Sequence, residues 1–391
     1  MKRGRHGFDY PKSLDCSKQE SCGLCKKVCP QRTDATDQST IYVARAIDDD
    51  EMMHSSSGAV FALLAKNCID CGGVVFGAGM DASFKIAHRV ATTSDDLHQL
   101  RGSKYVQSDI GDCYRQARGF LKLGKSVLFS GTPCQIAGLK SFLGKPLCDD
   151  PNLLAVDVIC HGVASPGIWN EYVTGQKLKE KRFGKLEEIV FRFKDINSSE
   201  DSYRFRFRFR SRSLYRHSRK DYFYQLFLRY FTLRDSCYSC DFRGASRSWC
   251  DISLGDYPTP QALVPDVSSP LGVNIVLVHS QKGEDSLRNI KDKLVLREVA
   301  VDEMIAVLKI NTAIELNHER PKEYDRFWRV WSEYGYEKAK SIALPTAAII
   351  KLGISDLCKV IGIHSSAKKL YSVVKKCNLK FRQDAEYHNS D

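Results

Sequence analysis

The feature that most constrains the fold of this chain is a pair of strand–loop–helix units near its middle. The units are SVLFSGTPCQIAGLKSFLG (126–144) and LLAVDVICHGVASPGIWNEYV (153–173), each an apolar run followed by a loop and a helical pattern. Ser165 as an N-cap and Pro166 in the first turn mark the start of the second helix. Apolar strands that alternate with helices predict an α/β fold, in which a mixed, largely parallel sheet is flanked by helices.

Neighbouring segments extend this pattern on both sides. SSSGAVFALLAKN (55–67) predicts a helix with serine caps, GGVVFGAGMD (72–81) a buried strand, and DIGDCYRQARGFLKLG (109–124) a second helix. Residues 184–235 have an antiparallel β pattern instead, and NIVLVHS (274–280) returns to a strand. We therefore expect an antiparallel β insertion within the α/β fold.

Fifteen cysteines distinguish the composition of this chain. The N-terminal MKRGRHGFDYPKS has basic residues without the apolar region of a secretory signal, and no apolar run reaches the ~18 residues of a spanning helix. We therefore expect a cytoplasmic protein without a transmembrane segment. Because disulfides are rare in that compartment, clustered cysteines indicate a metal or redox centre.

The first cysteine cluster lies close to the N-terminus. Cys22, Cys25 and Cys29, the last followed by proline, reproduce the final three members of the C-x2-C-x2-C-x3-C-P run that binds an iron–sulfur cluster. Gln19 occupies the position of the remaining member, so Cys16 is the candidate for the fourth ligand. A bound 4Fe–4S cluster is the favoured interpretation, and a zinc knuckle or an empty site are the alternatives.

A second set of cysteines is scattered along the sequence. Cys237 and Cys240 form a C-x-x-C pair, whereas Cys134 in GTPC and Cys160 in ICHG each follow an apolar strand. Since ligands bind outside the carboxyl ends of the strands in open α/β sheets, we hypothesise that these four cysteines converge there. They would then ligate a second cluster or face a bound flavin. The alternative is that Cys134 and Cys160 are buried apolar side chains.

Several segments carry a resemblance to a known family. They are SSSGAVFALL (55–64), GGVVFGAGMD (72–81), LRGSKYVQSDIGDCY (100–114), FRFKD (191–195), LRDSCYSCDFRG (233–244) and DISLGDY (251–257). Together with the specific combination of GTPCQIAGLK and ICHGVASP, they make the chain resemble the coenzyme F420 hydrogenase/dehydrogenase beta subunit family over roughly residues 5–345. Relatives commonly have two consecutive ferredoxin motifs and a D-F-W-G sequence, whereas this chain keeps one motif and has Asp256-Tyr257-Pro258-Thr259.

The resemblance implies a flavin-dependent iron–sulfur oxidoreductase. Members of the family bind FAD and iron–sulfur clusters, and they move electrons between a two-electron donor, such as reduced coenzyme F420, and a ferredoxin-like one-electron carrier. For this chain the resemblance implies one or two 4Fe–4S clusters and FAD or FMN. It further implies a small-molecule redox substrate and an acidic electron carrier as partner.

Flavin-binding residues are expected at a helix start and at a strand end. The serine-rich loop before the predicted helix offers hydroxyl and backbone N–H groups to a phosphate, and a plain serine cap is the alternative. The GTP sequence at 131–133 lets a ring or a phosphate approach the backbone. The cofactor-binding candidates are therefore Ser55, Ser56, Ser57, Gly58, Gly131, Thr132, Pro133 and Cys134.

His161 and Cys160 are the candidate catalytic residues. The imidazole of His161 could donate a hydrogen bond to a flavin carbonyl or protonate a product, and a structural histidine is the alternative. Hydride transfer to a flavin depends on orientation more than on a proton shuttle. We therefore assign no acid–base catalyst from the sequence.

The charge pattern bears on possible partners. The net charge is +12, and in YRFRFRFRSR the arginines at 204, 206, 208 and 210 alternate with phenylalanines. With a period of two, the phenylalanines face a core and the arginines line the opposite side of one strand. A solvated basic face is the favoured interpretation. The alternatives are docking of an acidic carrier, binding of a polyanionic cofactor tail, and nucleic-acid binding, which is the least expected because the phenylalanines are not free to stack on bases.

A second function class stays open beside the oxidoreductase. It is a non-enzymatic, zinc-bearing module that binds nucleic acid or a protein partner through the basic strand. We expect the chain to divide into a partial 4Fe–4S ferredoxin-like segment (1–36), an N-terminal α/β region (41–150), a C-terminal region with the C-x-x-C pair (151–335), and a peripheral basic helical tail (336–391).

Overall fold

The structure of the protein is a computed structural model that describes most of the chain. The described residues are 2–4, 6–10, 29, 39–194, 204–242, 249–257, 264–300 and 318–344. Cys16, Cys22 and Cys25 of the predicted iron–sulfur segment lie outside the described residues. So do Pro258, Thr259 and residues 345–391.

An eight-stranded mixed sheet forms the centre of the molecule. Its strands are β3 Thr40–Ala46, β4 Val74–Met80, β5 Ile86–Ala91, β6 Val127–Gly131, β7 Leu153–Val158, β11 Ile252–Asp256, β12 Asn274–Val278 and β13 Leu294–Glu298. Their order in the sheet is β13-β3-β12-β11-β7-β6-β4-β5. The four strands β11, β7, β6 and β4 are mutually parallel, and the strands on either side are antiparallel to their neighbours. The α/β class predicted from the alternating pattern is confirmed, with its parallel part confined to the centre.

Helices cover both faces of this sheet. They are α1 Asp49–Met53, α2 Val60–Asp70, α3 Leu97–Leu100, α4 Cys113–Lys122, α5 Pro133–Leu143, α6 Pro166–Lys179, α7 Tyr222–Leu228, α8 Gln281–Arg288, α9 Tyr324–Tyr334 and α10 Tyr336–Ala343. One face packs against α2, whose residues Val60 and Leu64 share a core with Val75 and Leu128 of the strands. The other face packs against α4 and α5. Within the described ranges, none of these helices combines the length and the apolar character that a membrane span requires.

A second, antiparallel sheet has three strands in the order β10-β9-β8. The strands are β8 Leu186–Phe193, β9 Arg204–Phe209 and β10 Ser213–His217. Phe205, Phe207 and Phe209 of β9 are buried against α6 and α7, as the period of two predicts. The predicted antiparallel insertion is therefore confirmed, and an aromatic core joins it to the helices.

The two central regions expected from the sequence, 41–150 and 151–335, share one sheet. β3 of the first region lies between β12 and β13 of the second. Consequently the boundary near residue 150 does not separate two sheets.

Two local expectations differ from the structure. Helix α2 begins at Val60 behind Ala59, which has a left-handed backbone with φ of 66°, so the serines at 55–57 do not cap it. The predicted peripheral tail is wrong for its first residues, because α10 buries Tyr336, Ala339 and Ala343 in the aromatic core. Apolar residues at helical spacing bury that face, although the surrounding sequence is basic.

The N-terminal residues before the predicted cysteine cluster are packed rather than loose. The short strands β1 Lys2–Arg3 and β2 Asp9–Tyr10 pair with each other. His6 stacks on Trp328 of α9 with ring centroids 4.5 Å apart, and Phe8 is fully buried. The chain that leads into the cysteine cluster is therefore anchored to the C-terminal helices.

We predict that Phe207→Ala lowers the free energy of unfolding by about 3–5 kcal/mol, because it leaves a cavity in the aromatic core. Tyr215→Ala removes an aromatic ring from the neighbouring strand β10, where the side chain is 49% exposed. That control should cost less than about 1 kcal/mol. Urea unfolding of both variants measures the difference, and equal losses would contradict the inward orientation of the β9 phenylalanines.

Candidate functional site

The carboxyl ends of the four parallel strands open into one cavity of about 340 Å³. Ala78 of β4, Gly131 of β6, Val158 of β7 and Asp256 of β11 all line it. In open α/β sheets this edge is where ligands bind, because the loops that follow parallel strands converge there. The cavity volume lies within the range of small-molecule sites.

Most of the binding and catalytic candidates named from the sequence lie in the wall of this cavity. Gly58, Pro133 and Cys134 do not line it. A Cβ on Gly58 would lie 2.5 Å from the carbonyl oxygen of Ala44, so this glycine permits close packing within the protein. The candidates that do line the cavity are Ser55, Ser56, Ser57, Gly131, Thr132, Cys160 and His161.

The serine hydroxyls hold the loop at residues 55–58 in place. Ser57 Oγ donates to the Val273 carbonyl oxygen at 2.7 Å. Ser56 Oγ accepts from the Ser103 backbone N–H at 2.5 Å. This loop, which we call the serine loop, is therefore tied to Val273 just before strand β12 and to the segment at residues 101–105 before any ligand enters.

Three chain segments lie side by side at the base of the cavity. The Ala164 backbone N–H donates to the Tyr105 carbonyl at 2.9 Å, and the Arg234 N–H donates to the Val163 carbonyl at 3.1 Å. Ala164 bridges both Val106 and Leu233. As a result, the loop after β7 and the loop that leads to the C-x-x-C pair are fixed next to each other.

The four scattered cysteines lie near one another at this place. Burial raises the pKa of the Cys160 thiol well above its usual range, and the charges of Cys134, Cys237 and Cys240 raise it further. Desolvation and the charge of Cys240 raise the pKa of Cys134 at the start of α5. A Cβ on Gly162 would lie 3.4 Å from the Cys237 Cβ, so the two loops are in contact. The structure thus places Cys134, Cys237 and Cys240 within electrostatic range of Cys160.

The described cysteines do not form a site for a single metal ion. Among the described residues, no three His, Cys, Asp or Glu side chains are arranged to hold one metal ion. In a four-iron cluster, by contrast, each thiolate binds a separate iron. Cys29 is the one described member of the N-terminal cysteines.

His88 is a buried histidine of the cavity wall that the sequence did not point to. Its Nε2 lies 2.9 Å from the Ser130 carbonyl oxygen, and its Nδ1 lies 2.9 Å from Ser108 Oγ. A carbonyl only accepts, so Nε2 carries the proton and Nδ1 accepts from the serine. Burial lowers the pKa of His88 to about 4, and the ring stays neutral near pH 7.

Other cavity residues were also missed by sequence reasoning. An aromatic wall is formed by Tyr105, Tyr224 and Phe227, in which the Tyr105 ring lies 5.1 Å from the Tyr224 ring and 5.0 Å from the Phe227 ring. Tyr105 lies in the 100–114 segment that carries the family resemblance, but no pattern in the segments of these three residues marks a binding site. Only the convergence of distant loops could have identified them. The charged members of the wall are Arg101, Lys104, Arg192 and Asp256.

The arginine side of β9 is largely neutralised within its own sheet. Arg206 lies 2.5 Å from a carboxylate oxygen of Glu188, and Arg208 lies 2.6 Å from Glu187. The side of β9 that the period of two predicted to be basic therefore carries little net charge along β8 and β9.

Comparison with known proteins shows similarity to a family and to solved structures. Residues 124–304 match the family described as the C terminus of the coenzyme F420 hydrogenase/dehydrogenase beta subunit. The chain is also similar to a chain in the structure described as xenon derivatization of the F420-reducing [NiFe] hydrogenase complex from Methanosarcina barkeri. The identity is 17%, the match covers 82% of this chain and 94% of that chain, and the TM-score is 0.46. No curated protein matches the sequence.

We predict that His88 makes the fold sensitive to mild acid. An unfolded histidine titrates near 6.5 but folded His88 only near 4, so its contribution to stability is lost as the pH falls from 6.5 to 4. Between pH 7 and pH 5 the wild type should lose roughly 2 kcal/mol more of unfolding free energy than His88→Gln. Denaturant unfolding at both pH values measures this difference. Parallel pH profiles of the two proteins would show that His88 is not held neutral.

Proposed function

We propose that the protein is an oxidoreductase of the coenzyme F420 hydrogenase/dehydrogenase beta subunit type, because residues 124–304 match the C-terminal region of that family, and that it uses a flavin and iron–sulfur clusters. The observation that carries this proposal is the position of the four-cysteine set. Cys160 both lines the cavity at the strand ends and lies within the electrostatic range of the other three cysteines. An organic redox group and a cluster would thus be neighbours.

The cavity wall supports binding of a flavin, FAD or FMN. The aromatic wall of Tyr105, Tyr224 and Phe227 can pack against a planar ring, and the serine loop with Thr132 offers polar groups. When bound, a flavin accepts two electrons as a hydride and releases them singly to a one-electron centre. His161 lines the same wall and is positioned to donate a hydrogen bond or a proton to a ligand there.

The four-cysteine set would hold one 4Fe–4S cluster. Its members come from the starts of the segments after β6 and β7 and from the C-x-x-C loop. The Gly162 backbone N–H donates to Cys160 Sγ at 3.3 Å, and Thr132 Oγ1 lies 3.2 Å from Cys134 Sγ. Such hydrogen bonds to sulfur stabilise the thiolate form and tune the potential of a bound cluster.

The N-terminal cysteines would provide a second cluster and the exit for electrons. The described chain before them ends at Tyr10, whose ring lies 4.4 Å from the Arg234 guanidinium. Arg234 also donates to the Asp9 carbonyl at 3.3 Å and precedes Cys237 by three residues. The chain that leads to Cys16, Cys22 and Cys25 therefore starts beside the C-x-x-C loop.

An acidic electron carrier is the partner that we propose, and the end of the small sheet is its docking surface. Ser211 Oγ donates to the Phe183 carbonyl at 3.0 Å, and the Arg210 N–H donates to the Lys185 carbonyl at 2.9 Å. These bonds join the loop before β8 to the turn after β9. We call the surface that they form the basic tip, and its exposed cations are Lys181, Arg182, Lys185, Arg210 and Arg212.

The basic tip is better suited to a protein than to nucleic acid. The ring of Phe183 is covered by the guanidinium groups of Arg182 and Arg212, at 4.7 and 5.4 Å from its centroid. It is therefore not free to stack on a base. Planar guanidinium forks match the carboxylates of an acidic surface.

We predict that Cys237→Ser with Cys240→Ser removes the iron and sulfide of one cluster. Cys68→Ser with Cys71→Ser is the matched control, because that C-x-x-C pair lies at the end of α2, outside the four-cysteine set. Anaerobic purification followed by iron, sulfide, zinc and flavin analysis measures the effect. The control should keep the wild-type iron per flavin and the broad absorbance near ~400 nm.

Equal iron in both double variants would refute the cluster at the four-cysteine set. A colourless wild-type protein that contains zinc, lacks flavin and binds nucleic acid in a salt-sensitive way would support the zinc-bearing module instead.

We predict that Arg210→Glu with Arg212→Glu slows reduction of an acidic ferredoxin about tenfold or more at low salt. Lys122→Glu with Lys125→Glu is the control, because it makes the same charge change at the exposed end of α4. Rates are measured across a salt series and should converge near 1 M salt, where the Debye length is ~3 Å. Rates that differ equally at every ionic strength would rule out docking at the basic tip.

A further inference from the structure

The cationic side chains of the cavity wall differ in whether a carboxylate lies close enough to neutralise them. Arg101 lies 2.6 Å from a carboxylate oxygen of Glu51, and Arg192 is hydrogen-bonded to Asp256. Lys104 has no carboxylate within ion-pair distance in the part of the chain that the structure describes. Its charge is therefore the uncompensated one in the wall.

Backbone carbonyls fix the position of the Lys104 ammonium group. Lys104 Nζ donates to the Gln99 carbonyl oxygen at 3.0 Å and to the Arg101 carbonyl oxygen at 2.6 Å. An ammonium group has three N–H donors, so one is left for a ligand. The hydrogen bond from Ser103 to Ser56 holds this segment against the serine loop. The cation is thus preorganised beside a row of hydroxyl groups, which reduces the entropic cost of binding.

We propose that Lys104 is the residue that binds the anionic, phosphate-bearing part of a ligand in this cavity. The assignment rests on the proposed function, since it takes the cavity to be a ligand site, and it adds the chemical class of the group bound there. A partly buried ammonium without a counter-charge is unfavourable, and a phosphate or diphosphate would supply that charge. A neutral ligand would leave the charge uncompensated.

Proton uptake on binding is a consequence of this assignment. Burial lowers the pKa of Lys104 to about 7, so the amine is mostly neutral at pH 8 without a ligand. An anion favours the charged form, and binding at pH 8 should therefore draw a proton from solution. Above pH 7 the affinity should fall by up to about tenfold per pH unit.

Other ionisable groups face the same space and define the controls. His88 has a pKa of about 4 and remains neutral in this range, whereas burial lowers the pKa of Lys194 to about 7. Lys194 Nζ donates to the carbonyl oxygens of Met52 and Ser57, behind the serine loop. It could take up the proton instead of Lys104. The remaining charged or titratable neighbours are Arg101, Tyr105, Cys160, His161, Arg192, Tyr224 and Asp256.

Isothermal titration of the full-length protein with ADP and with inorganic pyrophosphate tests the proposal, after releasable flavin has been removed. At pH 8, titrations in buffers with different ionisation enthalpies should show about one proton taken up by the wild type. Lys104→Met should bind about tenfold more weakly or worse, without proton uptake. Lys104→Arg should bind without proton uptake, because a guanidinium stays charged at pH 8.

The matched control is Lys85→Met, which removes a lysine paired with Asp109 outside the cavity wall and should behave as the wild type. The proposal is wrong if Lys104→Met retains the wild-type affinity and proton uptake, or if Lys194→Met alone abolishes the uptake. If Lys104→Met does not fold, the pH dependence of Lys104→Arg decides, since its affinity should not fall between pH 7 and pH 9.

The assignment of Lys104 and the proposed cofactors can be refuted independently of each other. Protein that binds flavin and iron but shows no effect of Lys104 on ADP or pyrophosphate binding would refute only this inference. Protein that takes up neither flavin nor iron, yet binds ADP through Lys104, would refute only the proposed cofactors.

Discussion

The parallel pairing of β7 with both of its neighbours is the constraint on which the site depends. Leu128 pairs with Leu154, and Val156 pairs with Ile252, so β6, β7 and β11 run in register. Because the three strands end at the same edge, the loops that follow them must share the space beyond it. The cavity and the electrostatic influence of Cys134 on Cys160 are direct consequences of that register. A strand at the edge of the sheet could not have gathered as many loops.

The strands and helices with strong local signals could be predicted from the sequence. Ser165 caps α6 and Pro166 is its first residue, because these residue types have local preferences that tertiary contacts did not override. The predicted start of α2 was wrong because Ala59 has a left-handed backbone conformation, which alanine rarely adopts. The place of β3 between β12 and β13 could not be predicted, since strand order across the outer half depends on contacts between residues more than 200 positions apart.

The site could be predicted only in part, and the reason is similar. Cys134, Cys160 and His161 follow apolar runs, so the rule for strand ends was enough to find them. Lys104 and Arg192 lie in segments that carry the family resemblance, but no pattern there marks them as binding residues, and they reach the cavity through tertiary structure alone. The arginine pattern of β9 correctly predicted which side is buried. It did not predict that Glu187 and Glu188 would neutralise the other side, because the sequences of β8 and β9 do not determine the register in which the two strands pair.

Each half of the candidate site contains a group whose charged form lacks a counter-charge, and the two missing counter-charges have opposite signs. In the four-cysteine set, burial and mutual repulsion oppose ionisation of Cys160, so its thiolate form requires a nearby positive charge. In the cavity wall, burial opposes ionisation of Lys104, so its ammonium form requires a negative one. Iron would supply the first charge and a phosphate group the second. Each half is therefore better satisfied with a ligand than without, and the shared loop at residues 159–163 provides a physical connection between them.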